Sequence, residues 1–228
     1  MGMLMLAALG FVGTHLLLSH ALRAPLVQRL GTRGFLGLYS LISLAIFIWM
    51  VIAYRAAPVS AALWPVGEVL WTLVTLVMLL ACVLFVGSFA GNPARPAVGA
   101  APPVPESAPG VFAITRHPMM WAFALWALCH LLIFPVAKNL VLSSAIFVLA
   151  LGGAALQDHK KALLEPTTWP RWQERTSYWP LAALYGGRTR WQQFGWRAWL
   201  GGVLLWLLAT WLHVPLSGWR AGIWHWVR

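Results

Sequence analysis

Three histidines stand inside long apolar runs, His15 and His20 in the first run and His130 in the fourth. Ionisable side chains at membrane depth are costly and point to function. His15 lies seven residues from the end of its run and His130 eleven from the start of its own. These positions correspond to depths of ~10 Å and ~17 Å. Two neutral imidazoles at similar levels across a helical bundle have the chemistry to hold an iron porphyrin. An interhelical hydrogen bond from each ring to a hydroxyl or carbonyl meets the same cost, and the residues alone leave both readings open. His20 is turned ~140° from His15 on an ideal helix and suits packing at the interface. Cys129 is turned ~100° from His130 and reads as a small buried apolar residue, with a thiolate ligand as the alternative.

Arg116-His117-Pro118 is a second feature with chemical content. Proline is favoured in the first turn of a helix, so Pro118 marks a helix start. Arg116 and His117 then sit at the membrane surface, beside free N–H groups that attract anions. An anionic cofactor group, a phosphate or a haem propionate suits that place, and so does a plain basic anchor with a helix cap. No acidic residue is expected at depth: Glu68 falls at a span mouth and Asp158 at a span end. Proton relays and metal sites built on buried carboxylates are therefore not expected. His159 with Lys160 and Lys161 suits the C-terminus of a helix, and His213 and His225 are expected to carry no chemistry.

The elements that position these residues follow from composition. Of 228 residues, 61% are hydrophobic and only 9% charged, against roughly 25% charged in soluble domains. A soluble fold of this length cannot hide so much apolar side chain, so the solvent is a lipid bilayer. The 16 tryptophans agree, because Trp gathers at bilayer interfaces. The net charge of +11 does not indicate nucleic acid, since the basic residues fall between apolar segments. They read instead as orientation signals and contacts to anionic head groups. Cys82 and Cys129 both lie in apolar runs and no CxxC occurs, so neither a disulfide framework nor covalent haem is expected.

The predicted fold is all-α, a single polytopic membrane domain over residues 1–228 with about six transmembrane helices. The spans are predicted near 3–22, 35–54, 67–90, 119–136, 140–157 and 197–213, by the ~20-residue length that crosses the hydrocarbon. The first is read as a retained span, because no basic leader or cleavage site precedes it. Twelve of the sixteen Lys and Arg then fall on one side, Arg95 among them, and four on the other, including Arg228. The positive-inside rule makes the rich side cytoplasmic and both termini periplasmic. The Pro/Gly/Ala-rich stretch 91–113 is expected to run along the cytoplasmic surface as a loop. Residues 158–195 and the tail SGWRAGIWHWVR are expected to lie in the interface.

Three blocks carry a family resemblance. THLLLSHALRAPLVQRLGTRGFLGLYSLISLAIFIWMVIAYRAAP at 14–58, RHPMMWAFALWALCHLL at 116–132 and TTWPRWQERTSYWPLAAL at 167–184 resemble the NnrU family of bacterial membrane proteins. The resemblance covers about residues 1–184. It implies a bacterial inner-membrane protein associated with nitrite and nitric oxide metabolism, that is, denitrification. The same domain is similar to 15-cis-zeta-carotene isomerase, an integral membrane haem b enzyme. That similarity implies haem b held by His15 and His130, with His20 as a competitor, and Arg116 and His117 at the edge of the cofactor. It implies cis–trans isomerisation of a carotenoid-like polyene. The isomerase has Cys-x-x-His in this block, whereas here Cys129 touches His130 directly. The RHP triplet also resembles isoprenylcysteine-type membrane methyltransferases, which implies S-adenosylmethionine. Those enzymes use a Glu-Glu pair, and this chain offers only Glu165, Glu174 and Tyr178. A non-enzymatic accessory protein for haem or nitrogen-oxide metabolism is the third expectation.

Overall fold

The computed structural model describes residues 1–94 and 104–227. Arg95, Arg228 and the middle of the 91–113 stretch lie outside the described residues. The elements are helical: α1 (Gly2–Ser19), α2 (Arg23–Ala56), α3 (Glu68–Gly87), α4 (Pro118–Ile133), α5 (Ala137–Leu164), α6 (Trp169–Arg175), α7 (Ala182–Tyr185) and α8 (Trp196–Ser217). Five of these, α1, α2, α3, α5 and α8, are long and apolar enough to cross a membrane, and α4 is a shorter apolar helix of 16 residues. The chain is a multi-pass helical membrane bundle, as its composition requires.

The long helices pack in a row. α8 lies on α3, α3 on α4, α4 on α5, α5 on α1, and α1 on α2. Small residues permit the tightest contact. A Cβ on Gly202 would stand 2.6 Å from the Val83 Cα and 2.8 Å from its nitrogen, so α8 rests against the α3 backbone at that point. Close approach through small residues is how helices associate where lipid removes the hydrophobic drive between them. Most of the large side chains on α1, α2 and α3 remain on the outside of the bundle, where hydrocarbon rather than water meets them.

Two helices depart from the spans expected of them. α2 begins twelve residues before the predicted span at 35 and breaks at Gly31, whose φ of 68° and ψ of 170° are open only to glycine without strain. The break sets Arg23 and Phe35 side by side, the guanidinium 5.8 Å from the ring centre. α5 runs on to Leu164, past the predicted end at 157, so that Asp158, Lys160 and Lys161 are helical. Helical periodicity continues there through polar residues that a hydropathy reading treats as loop.

The expectation of surface loops is corrected in three places. Val111, Phe112 and Ala113 form a buried 3-10 turn rather than a surface strip. In α6, Trp169 and Trp172 are completely buried in the main core, with Phe112 and Trp121. They are core residues and not interfacial ones. The tail folds back through a 3-10 turn at Gly222–His225, where Trp224 donates Nε1–H to Thr210 Oγ1 on α8 at 3.1 Å.

Candidate functional site

The start of α4 is built as a buried knot. His117 is the N-cap of that helix and Pro118 its first residue, as the triplet predicts. Arg116 N–H donates to the Ser177 carbonyl at 2.8 Å, and Leu181 N–H donates to the Ile114 carbonyl at 2.8 Å. The 176–181 segment thereby clamps the RHP block from outside. Leu181 pays a conformational penalty for that position, with φ at 68° in the left-handed region.

The side chains of this knot converge on Asp158. Arg116 Nε lies 2.7 Å from Asp158 Oδ2, and Nη2 reaches the same oxygen. His117 Nε2 lies 2.8 Å from Oδ1, and Trp169 donates Nε1–H to Oδ1 at 3.3 Å. Tyr178 packs edge-on to His117, its hydroxyl donating to the Leu151 carbonyl at 2.8 Å. Burial raises the Tyr178 phenol above its ordinary range, and the Asp158 charge adds to that. Asp158 lies toward the end of α5, where the sequence places it, and its side chain is buried. It stands against Arg116 and His117, the pair at which the sequence suggests an anionic group.

Beside the knot lies a cavity of about 770 Å³ between α1, α2, α4 and α5. Its apolar walls carry Phe11, Phe35, Tyr39, Met119, Met120 and Phe123, and His15 faces it from α1. The His15 ring leans on Phe11 at 4.4 Å and meets Tyr39 edge-on at 5.7 Å. Its Nδ1 lies 2.7 Å from the Phe11 carbonyl. A carbonyl only accepts, so Nδ1 carries the proton and Nε2 keeps its lone pair.

At the end of the cavity nearest the knot stand His20, Arg23, Lys160 and Lys161. Lys161 is neutralised by Glu165 at 2.7 Å. Among the described residues neither Arg23 nor Lys160 meets a carboxylate. Lys160 Nζ donates to the Ser19 carbonyl at 3.3 Å. Burial lowers the His20 pKa, and the charges of Lys160 and His159 lower it further. Of the cations lining the cavity, Arg23 and Lys160 are therefore the ones that no carboxylate among the described residues meets, Lys160 standing two residues along α5 from Asp158.

The expected ligands are brought together only in part. His15, Arg116 and His117 all line the cavity, and so does His20. His130 is not among its lining residues. It lies seven residues beyond Phe123, about 10 Å further along α4. Its ring stacks on Trp126 and faces His213 of α8. Cys129 is buried with Sγ toward the Val74 carbonyl of α3, and nothing directs it to His130 or the cavity. Glu165 lines the cavity but Glu174 is exposed, so the acidic residues relevant to a methyltransferase stand apart. Among the described residues no group of three or more His, Cys, Asp or Glu side chains is placed to hold a metal ion.

Sequence reasoning gave no chemical role to Asp158 or His213, and did not single out Tyr39, Met119 or Met120. Asp158 alone left a signal, as a lone acid at the end of an apolar run in a chain whose other helix mouth carries Arg-His.

No curated protein and no solved structure matches the chain. The family model described as NnrU protein matches residues 3–221 and so takes in α8, well beyond the blocks that first carried the resemblance. With nearly every element of the bundle inside that match, the chain belongs to the NnrU family.

Proposed function

We propose that the cavity binds haem b, with His15 as an axial ligand and Arg23 and Lys160 facing the propionates. The observation that carries this reading is the pairing of an imidazole lone pair on an apolar wall with unneutralised cations at one end. The donor set fits the group. Haem iron takes axial histidine, and the backbone-bonded Nδ1 of His15 fixes the tautomer that leaves Nε2 for a metal. The volume of about 770 Å³ lies in the range of small-molecule and cofactor sites, roughly 300–1,000 Å³.

When bound, haem supplies a redox-active iron beside a hydrocarbon wall. The chain's own residues do the rest. Phe35, Tyr39 and Phe123 exclude water, and Arg23 and Lys160 orient the anionic edge. The activity implied by the family likeness is cis–trans isomerisation of a carotenoid-like polyene, and a bilayer-embedded cavity suits so apolar a substrate. The distribution of basic residues supports an orientation with the basic end in the cytoplasm.

The test is an absorption spectrum of the full chain purified from haem-replete cells. A Soret band is expected, abolished in His15→Ala and weakened when Arg23 and Lys160 are both changed to Ala. A colourless wild-type protein overturns the reading. If haem is present, a cis-polyene extracted after incubation shows whether isomerisation follows.

A further inference from the structure

Away from the cavity, His130 of α4 and His213 of α8 bring their rings to 6.1 Å between centres, tilted by 35°. Each ring is tied to its own helix in the same way. His130 Nδ1 lies 2.8 Å from the Trp126 carbonyl, and His213 Nδ1 lies 3.0 Å from the Ala209 carbonyl. Both carbonyls are acceptors, so both Nδ1 atoms carry the proton. Both Nε2 atoms are then bare lone pairs, and among the described residues neither has a hydrogen-bond partner. Two acceptors cannot bond to each other. Neither nitrogen is sealed from the surface, and the two stand open to an electrophile that both can share.

We propose that His130 and His213 form a two-coordinate site for monovalent copper. A metal ~2.0 Å from each nitrogen, and so ~3.1 Å from each ring centre, places the centres about 6.2 Å apart when it bridges the rings in line. The observed separation is 6.1 Å. Imidazole is a good ligand for copper. Zinc usually requires four ligands, and no third His, Cys, Asp or Glu joins this pair among the described residues. A monovalent ion also brings the smallest charge into a poorly solvated site. Trp126, stacked on His130 at 4.0 Å, holds that ring in plane and covers one of its faces.

The site stands independently of haem in the cavity, and the experiment separates the two. The full chain in detergent is titrated anaerobically with Cu(I), kept reduced by ascorbate, against a chromophoric Cu(I) chelator. One equivalent is expected in the wild type, with affinity at least tenfold lower in His130→Ala and in His213→Ala. X-ray absorption of the wild-type protein is expected to show two nitrogen scatterers, a readout that requires no variant to fold. His15→Ala is expected to keep its copper while losing any Soret band. The proposal is overturned if the wild type yields its copper to the chelator, or if the double His130→Ala/His213→Ala variant holds copper as well. Loss of a Soret band in His213→Ala also overturns it, because the pair would then serve haem.

Discussion

Two carboxylates stand at opposite ends of the bundle, and each gathers a histidine and a tryptophan. Asp158 accepts from His117 and Trp169, with Arg116 added, and its side chain is 10% exposed. Glu68 accepts from His225 Nε2 at 3.2 Å and Trp226 Nε1 at 2.8 Å, and its side chain is 70% exposed. The donor types are nearly the same, but the surroundings are not. Asp158 ties α4, α5 and α6 where water is scarce, so its charge depends on its partners. Glu68 ties the start of α3 to the C-terminal turn, where solvent can replace either partner. Removing one member of a buried ion pair strands the other, whereas an exposed pair is cheaply replaced by water.

The comparison is tested most severely by Asp158→Asn. The neutral side chain leaves the Arg116 guanidinium without its counter-charge, at a cost of about 3 kcal/mol. This corresponds to a fall in Tm of roughly 6–12 °C for a chain of this size, measured by thermal unfolding in detergent. An unchanged Tm would mean that the knot is wetter than its burial indicates. Arg116→Lys comes next. It keeps the charge but loses the planar fork, and about 1–2 kcal/mol is expected by the same measurement.

Smaller effects sharpen the contrast. The Tyr178 phenol is raised above 10.0 by burial and by Asp158, so the folded state holds its proton more tightly than the unfolded state does. Stability is therefore unaffected well below pH 10 and falls as the pH rises through the unfolded value toward the folded one. In Tyr178→Phe that alkaline slope is expected to flatten, and Asp158→Asn should reduce it in part, as read from Tm between pH 8 and 11. The smallest expectation is for Glu68→Gln, where Tm should stay within measurement error at any salt concentration. A clear loss there would erase the distinction between the two ends.

Much of the bundle was legible in apolar run lengths, because a bilayer imposes a length on every span. The start of α3 fell within a residue of expectation for that reason, and the start of α4 did so because Pro118 marks it. The exceptions have physical causes. Residues 158–164 continue α5 through charged side chains, and hydropathy reads charge as loop. Trp169 and Trp172 read as interfacial because tryptophan serves at interfaces and in cores alike, and only packing decides between them. In the site, Arg116, His117 and His15 were legible by type. The partnership of Arg116 with Asp158 was not, since 42 residues separate them. The same holds for His130 and His213, which come together only because both helices flank α3.

The row of helices also has a consequence for synthesis. α1 and α2 reach the rest of the bundle mainly through α5, and domains assemble in the order in which the chain emerges. The first hairpin must therefore wait in the bilayer while α3 and α4 are made. Until α5 arrives, the cavity lacks one of the helices that line it. The cavity is thus completed late in synthesis, and a chain truncated before α5 is expected to lack it.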